Sequence, residues 1–304
     1  MKSVTHHLYL PGGARVAIDL HAPAATPRAL LFCLAGGGAN RRYFDLGDAG
    51  DKDFSFAARM TAQGFAVAAA DVPGVGDSLL PETPGFFPPR DAAAALHDAL
   101  VHLRTAQPAL ADLPVIGVGH SMGGMLIVLQ QGRFTDFAAV ALLGSNAGGL
   151  DWALTDAERA YAGDEAAIER DLAALTTARF GDPFAAMRIT TAGAGSIFAG
   201  ESPAATARLR TARDRLFNAG GMMSMIPGSF RSEAEAVRVP LFLAFGENDI
   251  GIPPHLVSRD FPSAPDVTLL ILPGTGHNHF GFSTMARLCA SLGHWAAAVS
   301  KDPP

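Results

Sequence analysis

The chain is 304 residues long, 49% of them apolar and only 17% charged, a composition that excludes a disordered polymer and can fill one large α/β domain or a core carrying an insertion. A formal net charge of −6 without a long Lys/Arg run leaves no electrostatic footprint for nucleic acid or an anionic membrane. Two cysteines, Cys33 and Cys289, exclude a disulfide scaffold while leaving a single bridge open, and no apolar stretch reaches the roughly 20 residues of a bilayer span.

The first residues, MKSVTHHLYLPGG, lack the apolar core of a signal peptide, so a soluble, cytoplasmic protein is expected. Leu8 and Leu10, the turn Pro11-Gly12-Gly13, and the alternation Val16, Ile18, Leu20 read as a hairpin. Ala29 to Leu34 is a continuous apolar run, the pattern of a strand covered on both faces. Phe54 to Gln63 reads as a helix ended by Gly64, and Phe65 to Ala70 as the next buried strand. A helix from about Asp91 carries Leu96, Leu100 and Leu103 on one face; Val115–Val118, Gly123–Gln131 and Ala138–Leu143 continue as strand, helix, strand. This alternation predicts a mostly parallel twisted sheet flanked by helices.

From about Leu150 to Ala236 strand-like runs give way to helical patterns. Thr155 and Glu158 have capping-box spacing, and Ile168, Leu172 and Leu175 share a helical face. Ser202-Pro203 begins a helix that carries Ala205, Leu209, Ala212 and Leu216 and is expected to end at Gly220. Strands return at Leu241–Phe245 and Val267–Leu272, and Met285, Leu288, Leu292 and Trp295 mark a closing amphipathic helix. The expected organisation is a core of residues 1–149 and 237–304 with a helical lid, residues 150–236, over the carboxyl edge of the sheet.

Gly119-His120-Ser121-Met122-Gly123 fits G-x-S-x-G and lies between an apolar strand and a helix of small residues. A tight strand-to-helix turn holds such a serine in strained backbone geometry, and the flanking glycines let chain and substrate approach. Gly117, Gly119 and Gly123 also approximate a dinucleotide loop, but that reading needs an acidic residue at the end of the next strand, which here runs Leu142-Leu143-Gly144-Ser145. A nucleophilic serine needs a base, and the base an orienting acid. Asp249 follows the Leu241–Phe245 strand in the right chain order, with Glu247 as its competitor. His277 follows the last strand through Pro273-Gly274-Thr275-Gly276 and is the expected base. His279 reads as a partly exposed loop histidine, the alternative being a contact behind the triad or with the lid; as a metal pair with His277 it lacks a third ligand, so no metal and no cofactor is expected. Two amides must hold the developing oxyanion: that of Met122, and one from Ala35-Gly36-Gly37-Gly38, with Gly37 and Gly38 as candidates. His120 is expected to fill the turn, and Cys33 to pack in a buried strand.

These segments resemble the α/β-hydrolase superfamily over residues near 28–150 and from 237 to the end. Asp71-Val72-Pro73-Gly74-Val75-Gly76-Asp77-Ser78 is similar to the D-x-P/R-G-x-G-x-S loop of its lidded members, which implies a structural role for Asp71 and Ser78. Many relatives carry a histidine where this chain has Ala35, and Ser121 disfavours the relatives that use an aspartate nucleophile. The resemblance implies a serine esterase or lactonase; acyl transfer or C–C bond cleavage by the same triad and a non-catalytic binding protein are the alternatives. The insertion supplies Trp152, Phe180, Phe184, Ile197, Phe198, Phe217, Met222, Met223 and Met225, and Phe86 and Phe87 precede it. No cluster of Arg or Lys that would clamp a phosphate or carboxylate appears in it, although Arg179, Arg188 and Arg208 lie in the block. The expected substrate is therefore a bulky, apolar, uncharged small-molecule ester or lactone touching Phe86, Trp152, Phe184, Met222 and Met225. Oligomeric state is not legible.

Overall fold

The computed structural model describes residues 2–10, 13–47, 53–80, 86–182, 184–186 and 198–300. The expected hairpin forms as β1 (Lys2–Tyr9) and β2 (Arg15–Ala22) with Leu8 opposite Val16, and its turn residues Pro11 and Gly12 lie outside the described residues. The apolar runs that follow become β3 (Leu30–Leu34), β4 (Ala66–Ala70), β5 (Val115–His120) and β6 (Ala139–Leu143). Two short strands, β7 (Phe184–Ala186) and β8 (Arg215–Phe217), precede β9 (Leu241–Gly246) and β10 (Val267–Leu272). The main sheet is eight-stranded in the order β1-β2-β4-β3-β5-β6-β9-β10. β1, β2 and β4 pair antiparallel; every pairing from β4 to β10 is parallel.

Every residue of β3, β4, β5, β6 and β9 is buried, because helices cover both faces of the sheet. Alternation along β3 divides the core: Leu30, Phe32 and Leu34 join one apolar cluster, Leu31 and Cys33 the other. The first cluster includes α2 (Pro89–Ala106), through the expected Leu96, Leu100 and Leu103, and α3 (Met122–Phe134). The second includes α1 (Phe56–Ala62), capped by the Ser55 side chain, and the C-terminal helix, through Met285, Leu288, Leu292 and Trp295. β10 is the sheet edge and leaves Leu269 and Ile271 exposed. Cys33 and Cys289 are free and buried on the second face, where burial pushes the Cys289 thiol up to about 12. Among the described residues no helix is long and apolar enough to cross a membrane.

The Asp71–Ser78 loop closes the edge of the parallel strands. Asp71 accepts hydrogen bonds from the Arg41 backbone and guanidinium at 2.7 and 2.5 Å and from Asp77 N at 3.0 Å. Ser78 Oγ accepts from Ala17 N in β2 and donates to the Asp71 carbonyl. These contacts tie the loop to the hairpin and to residue 41, and none involves the cavity described below.

Residues 150–236 contain α4 (Asp156–Arg159), α5 (Glu165–Phe180), α6 (Pro203–Thr211), α7 (Asn218–Met225) and α8 (Arg231–Glu235). Thr155 and Glu158 form the expected capping box, Ile168 and Leu172 are buried, and Ser202 caps α6 with Pro203 at its first position. Two expectations fail. The segment is not free of strands, since β7 and β8 pair antiparallel. The helix from Pro203 stops at Thr211, not Gly220, which lies inside α7. Pairing with the loop after β3 draws the chain out of the helix: Asn40 N donates to Ala212 O at 2.9 Å and Asp214 N to Gly38 O at 3.0 Å. The Asn40 amide also donates to Asp214 Oδ2 at 2.9 Å. The short α9 (Pro254–Val257) and the C-terminal α10 (Met285–Val299), already placed on the second face, complete the chain order.

Candidate active site

Ser121 follows β5 directly at φ 51° and ψ −123°, outside the regions a serine ordinarily occupies. The turn persists because its neighbours over-determine it. Ser121 N donates to Leu143 O of β6, and Gly124 N returns to Ser121 O. A Cβ on Gly119 would lie 2.3 Å from Gly124 Cα, and one on Gly123 2.2 Å from Leu34 O. No larger residue fits either place, so the motif's glycines answer to backbone contact. Helix α3 starts at Met122, so the positive end of its dipole lies at the serine.

The loops after β9 and β10 bring the other two candidates to the same point. His277 Nε2 lies 2.9 Å from Ser121 Oγ, and His277 Nδ1 lies 2.6 Å from Asp249 Oδ1. The carboxylate only accepts, so Nδ1 carries the imidazole hydrogen and Nε2 is left to accept from the serine hydroxyl. Asp249 also accepts from Ile250 N at 2.8 Å and Gly246 N at 3.2 Å. Burial alone would raise its pKa, but the charges and hydrogen bonds of His277 and His279 outweigh that and hold it well below the usual carboxylate range. Glu247, the competing acid, is exposed and accepts from Gly274 N on the far side of the turn.

His279 departs from expectation. It is fully buried instead of partly exposed, and its Nε2 donates to Asp249 Oδ2 at 3.0 Å while Nδ1 is buried without a partner. The residue after next to His277 is turned inward by the short helical turn His279–Gly281, a tertiary event with no signal in residue spacing. His120 fills the turn as expected and does more. Its Nε2 donates to His277 O at 2.9 Å, and its ring lies against Tyr43 and His277 at 4.7 and 4.8 Å. Burial first, then repulsion from His277 and His279, keeps His120 well below the ordinary histidine range and hence neutral. Among the described residues no group of three His, Cys, Asp or Glu could hold a metal.

A cavity of about 330 Å³ opens onto Ser121 and His277. Of the oxyanion candidates, Met122 and Gly37 line it. Gly38 does not; its carbonyl is taken by Asp214 N and it turns toward the inserted segment. Of the five expected substrate contacts, Trp152 and Met225 are on the wall. Trp152 is 61% exposed at the rim, its indole N–H donating to Ile250 O. Met222 is fully buried within the inserted segment, and Phe86 is 42% exposed away from the cavity, so neither lines it. The side chain of Phe184 lies outside what is described, as do Ile197 and Arg188. The sequence reading missed Leu150 and Ile250, and placed Leu216 on a helix when it is a β8 wall residue. Arg179 reaches the wall with its charge committed to Glu158 at 2.5 Å and the Ala153 carbonyl at 2.7 Å.

A family model described as the alpha/beta hydrolase family matches residues 31–291. No curated protein sequence matches the chain. Among solved structures, a thermostable carboxyl esterase from Bacillus coagulans superposes with a TM-score of 0.68 at 18% identity, covering 99% of each chain. A monoacylglycerol lipase from Paleococcus ferrophilus gives 0.63 at 17% identity, covering 98% of this chain and all of the other (100%). An N-acyl homoserine lactonase gives 0.60 at 17% identity and covers 98% of both chains.

Proposed function

This chain belongs to the alpha/beta hydrolase family, and from that premise we propose that it hydrolyses a carboxylic ester or lactone through an acyl-serine intermediate. The observation that carries the reading is the contact series Asp249–His277–Ser121, at 2.6 and 2.9 Å, on the floor of a cavity whose upper wall is aromatic and aliphatic. In this reading His277 takes the Ser121 proton as Oγ attacks the carbonyl carbon, and Asp249 stabilises the imidazolium that forms. The amides of Met122 and Gly37 bind the oxyanion, each contributing about 3 kcal/mol to the transition state. His277 then protonates the leaving alcohol, and water releases the acid by the same route reversed.

The esterase, lipase and lactonase among the structural neighbours support an ester or lactone bond as the target. Leu150, Phe180, Phe198, Leu216 and Met225, with Arg179 already paired, favour an apolar, uncharged substrate large enough to fill about 330 Å³. We further propose that residues 150–236 act as a lid on a core of residues 1–149 and 237–304. The test is twofold: mass spectrometry after a fluorophosphonate should find the adduct on Ser121, and kcat/KM should be higher for aromatic or medium-chain esters than for acetate or anionic esters. Labelling elsewhere, or preference for the small anionic substrates, overturns the reading.

A further inference from the structure

Two cavities meet at Ser121, and they differ tenfold in size. Besides the large one, a chamber of about 30 Å³ adjoins the serine, lined on its own side by Met125, Gly144, Ser145 and Asn146. Six residues line both: Ser121, Met122, Leu150, Ser224, Ile250 and His277. The chamber has room for one or two waters and no more, and a water there needs two to four polar partners. It finds them. Asn146 is nine-tenths buried, and its Oδ1 is buried without a hydrogen-bond partner. Ser145 is 5% exposed and wedged against α3, where a Cβ on Gly124 would lie 2.5 Å from its Oγ. Ser224, His277 and Ser121 supply the remaining polar wall. A buried acceptor left unpaired is destabilising, and a bound water relieves it.

We infer that this chamber seats the water that attacks the acyl-enzyme, and that Asn146, Ser145 and Ser224 favour water over larger acyl acceptors. The inference rests on the acyl-serine reading above. The apolar acyl group occupies the large cavity, while the chamber presents a water oxygen to the ester carbon from the side of His277. His277 Nε2 takes one water proton as the O–C bond forms; the tetrahedral intermediate collapses by breaking the C–Oγ bond, and the same proton passes to Ser121 Oγ. The products are a carboxylic acid and free serine. The chamber holds water and no larger acceptor, so a water seated there competes with any alcohol that returns through the large cavity by the leaving group's route, and hydrolysis is favoured over transfer.

The experiment is product partitioning. The protein is incubated with the p-nitrophenyl, phenyl and ethyl esters of one acid in buffer containing methanol, and the methyl ester to acid ratio is measured. With a common acyl-enzyme the ratio is the same for all three leaving groups. The parent protein should give mostly acid. Asn146→Ala, which deepens the chamber and removes an anchoring oxygen, should raise the ratio about tenfold. Ser224→Ala, at a half-buried position, should raise it about threefold and stands in should the first variant fail to fold. A ratio independent of leaving group but unchanged in both variants overturns the acceptor site alone. A ratio that varies with the leaving group, or no turnover of any ester, overturns the acyl-serine reading beneath it.

Discussion

The floor and the roof of the large cavity are built on different principles. Ser121, Asp249 and His277 each follow a sheet strand within a few residues, and their polar atoms are fixed by contacts of 2.6 to 3.2 Å to one another and to backbone N–H groups. The roof, from the segment between β6 and β9, meets the cavity through short elements and apolar side chains such as Phe198, Leu216 and Met225. On the proposed function, chemistry sits where polar atoms are fixed by hydrogen bonds, and substrate fit where apolar side chains such as Phe198, Leu216 and Met225 form the wall. A substitution in the floor should act on turnover, and one in the roof on binding.

The largest effect expected is that of Ser121→Ala, a loss of about 10⁴–10⁶ in kcat with the melting temperature unchanged. His277→Ala should cost the same, and the double variant no more, since the two act as a unit; additive losses would break the floor as described. Asp249→Asn should lower kcat by about 10⁴ because the amide favours the wrong imidazole tautomer, whereas Glu247→Gln should leave it intact. The carboxylate also carries a stability signature. Its folded pKa is depressed, so its contribution is present above the unfolded value of about 4 and is lost as the pH falls below it. Urea titrations of the parent and Asp249→Asn at pH 3 and pH 6 should converge at the lower pH.

Behind the triad the effects shrink. His279→Ala removes the donor on Asp249 Oδ2 and should lower kcat by about tenfold to a hundredfold, with His279→Gln recovering part of it by restoring an N–H. An unchanged kcat in His279→Ala would make Asp249 self-sufficient. In the roof, Phe198→Ala and Met225→Ala should raise KM for aromatic esters less than about tenfold, with kcat nearly constant. Phe86→Ala should alter neither constant; a KM effect there would redraw the wall.

What could be read ahead of the structure follows from how these regions are made. The strands of the floor are continuous apolar runs because both faces are covered, and each candidate triad residue follows such a run directly, so Ser121, Asp249 and His277 stand out by position. The burial of His279 depends on a turn that packs it against His120. The end of α6 at Thr211 depends on Asn40 and Gly38, more than 170 residues earlier in the chain. Met222 and Met225 lie on one short helix, yet only the second reaches the cavity, because a run of methionines carries no periodicity that assigns a face.

The pairing of residues 212–214 with residues 38–40 has a mechanical consequence. The loop that presents Gly37 to the cavity is held on one side by β3 and on the other by the descending chain of the inserted segment, through Asn40 N to Ala212 O, Asp214 N to Gly38 O and the Asn40–Asp214 side-chain contact. Three hydrogen bonds therefore join the two stretches, so a displacement of residues 212–214 would be transmitted to residues 38–40, beside Gly37, before it reached any other part of the cavity floor.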